Sequence, residues 1–155
     1  LSPVRILLDR RLRLPLSHIL VKSANIIPTW VFTREPFSDE GHRKRDKLLK
    51  AGVEVFAVDT DKTGRLDLFQ LMTNLVKRGI TRLMVEGGGL IAASFVSAGL
   101  VDELLWFRAP CIIGGDGRNA LAEMGVNELS RSWKLELIST QHVGSDILER
   151  YRMQS

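Results

Sequence analysis

Glu86 stands directly before three glycines, Gly87-Gly88-Gly89, and these lead into Leu90-Ile91-Ala92-Ala93-Ser94-Phe95-Val96-Ser97-Ala98, closed by Gly99. A carboxylate at a glycine turn can hold hydroxyl groups or balance a cationic intermediate. The Ala-rich run predicts a helix, and the first-turn N–H groups of a helix carry the positive end of its dipole with no intrahelical acceptor. An exposed start of that kind is a phosphate site that needs no basic side chain, and glycines let an anion come close. A tight turn with no ligand fits the same residues, so both readings stand at this level. Upstream, Ile80 or Thr81 to Val85 predicts a strand, which places Glu86 at a strand's carboxyl end, where open α/β sheets bind ligands. Asp9, followed by Arg10, closes the apolar run Val4-Arg5-Ile6-Leu7-Leu8 in the same way.

Other chemistries find no support. The glycine run is not Gly-x-Gly-x-x-Gly, and no Lys-Ser/Thr follows it as in a Walker loop. One cysteine and three scattered histidines form no metal-ligand cluster, so no metal is expected. Cys111 lies beside Pro110 without a neighbouring histidine and reads as a small buried apolar residue. No Ser-centred elbow occurs, and Asp102 and Glu103 alternate across a strand onto opposite faces. Gly114-Gly115-Asp116-Gly117 reads as a surface turn, and His18 as structural.

The chain of 155 residues suits one domain, with 45% hydrophobic and 26% charged residues. The net charge of +4 and pI near 9.6 do not point to nucleic acid. His42 to Lys50 mixes basic residues with Asp46, after Asp39 and Glu40, as a solvated helix face does, and aromatics are only 6%. No apolar run approaches a bilayer span, and no signal peptide is visible, so no membrane partner and a cytoplasmic location are expected.

The elements that must carry these residues alternate. Strands are predicted at Val4–Asp9, Pro28–Thr33 with an exit at Pro36, and Val53–Val58. A short turn capped by Ser17 runs through His18 to Ser23. Ser38 caps a helix ending at Ala51, and apolar residues from Leu66 to Val76 recur at helical spacing before Gly79. Such alternation implies a largely parallel sheet covered on both faces. After Gly99 the pattern changes: Val101–Ala109, Trp133–His142 and Ile147–Met153 are strands, the last two joined by a hairpin turn at Val143-Gly144-Ser145-Asp146, so the sheet ends antiparallel.

Val85-Glu86-Gly87-Gly88-Gly89-Leu90, then Ala98-Gly99-Leu100-Val101-Asp102-Glu103-Leu104, then Ala109-Pro110 with Gly114-Gly115-Asp116-Gly117, resembles the C-terminal reductase domain of the bifunctional riboflavin-biosynthesis protein. The likeness covers nearly the whole chain. It implies a dihydrofolate-reductase-like, three-layer α/β/α fold, with a mostly parallel central sheet ending in antiparallel C-terminal strands. It implies NADPH as hydride donor and a phosphoribosylaminopyrimidine substrate, 5-amino-6-(5-phosphoribosylamino)uracil, whose opened sugar accepts hydride at C1′. Glu86 matches the substrate contact. Gly87, Gly88, Gly89, Leu90, Ile91, Ala92, Ala93 and Ser94, with Asp9 and Arg10, match the cofactor side, and the guanidinium of Arg10, where relatives carry a small hydroxyl residue, suits a 2′-phosphate.

The family's upstream Lys, Ser, Trp and Arg contacts have no match here, nor has a zinc deaminase domain. The expectation is therefore one reductase domain over 1–155, shortened at its N-terminus, with little or no turnover and weak cofactor binding by itself. A homodimer is expected through the antiparallel end of the sheet. A reductase of a pterin-like or other pyrimidine substrate, and a non-catalytic dimerisation or nucleotide-binding module, are the alternatives.

Overall fold

A computed structural model describes residues 2–35 and 38–154; the strand exit expected at Pro36 lies outside them. The chain packs as two compact units, Leu1–Arg82 and Leu83–Ser155.

In the first unit, β1 (Arg5–Leu8), β2 (Thr29–Thr33) and β3 (Glu54–Ala57) form a parallel sheet in that order. Apolar residues on both faces of β2 explain its place in the middle, since a central parallel strand is covered on each side. Val31 and Val55 lie opposite each other and join Val21, Ala24 and Leu48 in one core cluster, which seats α1 (Ile19–Lys22) and α2 (Asp39–Lys50) on that face. On the other face Trp30 and Phe32 meet Phe56, with ring centroids 5.6 and 5.2 Å apart. Arg78, the cap of α3 (Leu68–Lys77), lays its guanidinium 4.0 Å above the Phe56 ring. Helices therefore cover both faces of the sheet. Ser38 caps α2 as expected, its Oγ accepting from Gly41 N–H at 3.2 Å. α1 departs from expectation: its cap is His18, whose Nδ1 accepts from Leu20 N–H at 3.2 Å, instead of Ser17.

Arg5, in β1, works as a clamp. Nη1 donates to Ser23 Oγ at 2.8 Å, and Nη2 donates to the Leu20 and Ile27 carbonyls and to Thr29 Oγ1 at 3.2, 2.8 and 2.6 Å. These acceptors lie at the end of α1 and the start of β2, so one guanidinium joins three elements.

In the second unit, α4 (Gly89–Ser97) precedes β4 (Glu103–Arg108), β5 (Leu135–Val143) and β6 (Asp146–Met153), which pair antiparallel in the order β4-β6-β5. The hairpin turn falls where predicted, with Gly144 at φ +64° supplying the left-handed residue. Glu103 faces Arg150 at 2.6 Å and Glu149 faces Arg108 at 2.9 Å across β4 and β6.

Two expectations fail. Thr81–Val85 joins neither sheet; Met84 is 71% and Val85 39% exposed. Apolar, β-branched character suits a strand, but a strand exists only where a neighbour completes its ladder, and here none does. Cys111 is exposed, because Pro110–Gly117 runs as irregular surface chain and offers no core to receive the thiol.

Candidate functional site

The residues singled out from sequence fall into two groups, one in each unit. In the second unit, Glu86 is exposed on the irregular segment before α4, so its position follows from the helix start and owes nothing to a strand end. Gly88 is the cap of α4 in extended conformation and, being glycine, brings no side chain to bond the helix start. Its carbonyl receives Ile91 N–H at 2.9 Å and Ala92 N–H at 3.2 Å. Gly89 and Leu90, the first two helical residues, keep their amides outside the intrahelical ladder. The macrodipole of a nine-residue helix thus ends on bare amides, the arrangement that favours an anion.

None of Gly87, Gly88 and Gly89 has a positive φ, so the run is not there to turn the chain. It provides room. A Cβ on Gly88 would meet nothing within 4 Å, whereas one on Gly89 would lie 2.7 Å from Asn119 O, 3.1 Å from Ala122 N and 3.2 Å from Ala120 O. Ala122 N–H donates to Gly89 O at 3.0 Å. Segment 119–122 is thus seated on the helix start, a contact that no local signal in the sequence carries. Farther along, Ala93 is 5% exposed and packs inward, and Ser94 Oγ donates to Leu90 O at 2.8 Å, back along its own helix.

In the first unit, Asp9 and Arg10 follow β1. Asp9 shapes the turn: Oδ2 accepts Leu14 N–H at 2.7 Å, and its carbonyl accepts Leu12 N–H at 2.9 Å. Leu12 takes φ +52°, a conformation a branched side chain adopts reluctantly, with its side chain only 7% exposed. Arg10 and Thr33 line a cavity of about 340 Å³ together with Arg11, Arg34, Glu35 and Ser38. The three elements that shape it meet for a plain reason. β1 and β2 are parallel, so both end at the same edge of the sheet, and the chain enters α2 there. Arg11, Thr33, Arg34, Glu35 and Ser38 were not candidates from sequence; the signal that could have found them is that residues just after two adjacent parallel strands share one edge.

Thr33 Oγ1 donates to the Arg10 carbonyl at 3.2 Å, and Arg10 Nη1 donates to the Gly64 carbonyl. Gly64 belongs to a turn built around Asp61, whose Oδ1 accepts from Thr63 Oγ1, Thr63 N–H and Arg65 N–H at 2.6, 2.8 and 3.0 Å. The Thr63 hydroxyl, foremost among these donors, holds the Asp61 carboxyl below its ordinary value of 3.8. Among the described residues no group of three His, Cys, Asp or Glu could hold a metal ion, and no helix is long and apolar enough to cross a membrane.

Known proteins match the chain over nearly its whole length. The chain is 33% identical over 148 residues to the riboflavin biosynthesis protein RibD of Bacillus amyloliquefaciens, a match that covers 94% of this chain and 38% of that protein. It is 33% identical over 157 residues to the 2,5-diamino-6-ribosylamino-4(3H)-pyrimidinone 5′-phosphate reductase of Methanothermobacter thermautotrophicus, covering 99% of this chain and 67% of the reductase. Among solved structures, Acinetobacter baumannii RibD is similar with TM-score 0.75 and 25% identity, covering 97% of this chain and 37% of that one. A pyrimidine reductase-like protein of Corynebacterium diphtheriae shares the fold at TM-score 0.81 and 23% identity, covering 99% of this chain and 62% of its own. The chain thus spans a little over a third of the RibD proteins it matches. A sequence model of the RibD C-terminal domain matches residues 1–148, and with this fold and these relatives the chain belongs to the RibD C-terminal domain family.

Proposed function

We propose that this chain is a reductase domain of riboflavin biosynthesis that uses NADPH to reduce 5-amino-6-(5-phosphoribosylamino)uracil to its ribitylamino product. The observation that carries the reading is the start of α4, where bare amides and an open Gly88 follow an exposed carboxylate, in a chain 33% identical to a named pyrimidinone phosphate reductase. NADPH, when bound, supplies the hydride. The chain's residues bind and orient. The amides of Gly89 and Leu90 receive a cofactor phosphate, with Gly88 leaving the space for it, and Ile91 to Ser94 continue the helix that sustains the dipole. The Glu86 carboxylate accepts hydrogen bonds from sugar hydroxyls of the substrate.

Three arginines around the β1–β2 cavity outnumber the Glu35 carboxylate and, with the Ser38 hydroxyl, suit a phosphate monoester, and this favours NADPH over NADH. Asp9 serves that side by shaping the turn that presents Arg10. The same reading treats residues 1–155 as one reductase domain acting in the cytoplasm, and as a homodimer.

Calorimetric titration of the chain with NADPH and NADH, and of Glu86→Gln with substrate, tests the proposal. NADPH binds more tightly than NADH by tenfold or more, on the order of the strength of a charge-assisted hydrogen bond. Glu86→Gln weakens substrate binding about tenfold and leaves NADPH affinity unchanged. Equal affinity for both nucleotides removes the assignment of the arginine cavity, and no affinity for either removes the cofactor site.

A further inference from the structure

Arg10 belongs to two structures at once. Arg10 lines the cavity at the ends of β1 and β2, and its guanidinium donates from Nη1 to the carbonyl of Gly64. The Asp61 turn is otherwise held largely from within. Asp61 N–H donates to Arg65 O at 2.7 Å, Gly64 N–H to Asp61 O at 2.9 Å, and Thr60 pairs with Leu66. The connection to the exit of β1 runs through Arg10. The approach is close: a Cβ on Gly64, which sits at φ +74°, would lie 3.4 Å from Arg10 Nη1. A guanidinium carries five N–H donors in a rigid fork, so engaging Gly64 through Nη1 leaves Nε and Nη2 for an anion in the cavity.

We infer that Arg10 couples occupation of the cavity by a phosphate monoester to the order of the turn Asp61–Leu66, so that the chain stiffens this turn when it holds a nucleotide bearing a 2′-phosphate. The inference rests on the reading of the cavity as the 2′-phosphate site. An anion that grips the Nε and Nη2 edge fixes the plane of the fork, and the Nη1–Gly64 bond is then held in its best direction; the phosphate orders the turn without touching it. Arg10 is in this respect a positioning residue for the turn as well as a ligand. The turn leads through Asp67, the cap of α3, so its stiffening reaches the start of that helix: Asp67 N–H donates to Asp59 O at 2.9 Å, and Asp67 Oδ1 accepts from Gln70 N–H at 2.9 Å.

Hydrogen exchange of the whole chain, read by mass spectrometry with and without NADP⁺ and NAD⁺, tests this, with calorimetry reporting binding on the same samples. NADP⁺ slows exchange of the amides in 61–66 about fivefold, as expected when a charge-assisted hydrogen bond is steadied, and NAD⁺ at equal occupancy does not. Arg10→Lys keeps the charge but loses the fork; it still binds NADP⁺, more weakly, without slowing the turn. Binding of NADP⁺ that leaves the turn unchanged overturns the coupling, as does equal slowing by NAD⁺ or full slowing in Arg10→Lys. A blank calorimetric titration of the unmodified chain with both nucleotides overturns the cofactor reading itself, and the coupling with it. The wild-type comparison of the two nucleotides decides the matter even if Arg10→Lys does not fold.

Discussion

Gly89→Ala separates packing from ligand binding at the start of α4. The added Cβ falls 2.7 Å from Asn119 O, 3.1 Å from Ala122 N and 3.2 Å from Ala120 O, all backbone atoms that cannot swing aside. Forcing a methyl group into a filled site costs about 1–3 kcal/mol. Displacing segment 119–122 also strains the bond from Ala122 N–H to Gly89 O, now 3.0 Å, which contributes about 0.5–1.5 kcal/mol. Against this stands the helix preference of alanine over glycine, about 1 kcal/mol at most and less at a helix end. The balance is a loss of about 0.5–3.5 kcal/mol, or roughly 1–14 °C in melting temperature for a chain of this size. Gly88→Ala is the matched control: its φ of −65° suits alanine, and no atom lies within 4 Å of the new Cβ. Thermal unfolding followed by circular dichroism, with hydrogen exchange at the Ala122 amide, reads both variants. Gly89→Ala lowers the melting temperature and speeds exchange at Ala122, while Gly88→Ala costs only the smaller penalty of an alanine cap, leaves exchange at Ala122 unchanged and weakens NADPH binding by filling the space above the amides. Equal stability of Gly89→Ala and the unmodified chain, or equal destabilisation by the two variants, refutes the reasoning.

Arg5→Ala removes four hydrogen bonds that join α1 to β1 and β2 and leaves their acceptors in a partly buried site, at a cost of about 2–4 kcal/mol; urea unfolding showing less than about 1 kcal/mol would count against the clamp. Asp61 gives a pH signature. Its folded-state value lies below 3.8, so its support of the turn is complete above that ordinary value and is lost as pH falls through the depressed one. Amide chemical shifts of Thr63 and Arg65 should therefore titrate with a midpoint below 3.8, and a midpoint above it removes Asp61 as the hub of the turn.

Local signals located most of the elements. The Ser38 cap, the left-handed glycines that close α3 and α4 at Gly79 and Gly99, and the hairpin at Gly144 are all determined within a few residues, and the structure has them where the sequence puts them. What escaped was decided at long range. Thr81–Val85 has the composition of a strand, but composition cannot supply the neighbour a ladder requires. The inward role expected of Cys111 depended on a core that its segment never enters. At the candidate sites, Glu86 and the glycine run were visible because carboxylate, glycines and helix are contiguous. The cavity of Arg10, Arg11, Thr33 and Arg34 was not, because it arises only when strands some twenty residues apart in sequence are laid side by side in parallel. Likewise the reason for Gly89 lies about thirty residues away, in the backbone of Asn119.

The left-handed conformation of Leu12 bears on the entropy of ligand capture. A non-glycine residue at φ +52° costs about 1–2 kcal/mol, and burying a leucine side chain returns about 1.5–3 kcal/mol, so folding keeps the residue there with no ligand needed. Glycine at this position would relax the backbone and forfeit the burial; valine or isoleucine would worsen the strain. With Asp9 bracing the same turn and Thr33 fastening the carbonyl of Arg10, the backbone under that guanidinium is set during folding. If the cavity is the phosphate site proposed above, a phosphate arriving there does not bear the ordering penalty of a mobile loop, about 0.5–1.5 kcal/mol for each long side chain immobilised. On the proposed reading of the cavity, replacing Leu12 should appear as a weaker, more entropy-opposed binding isotherm.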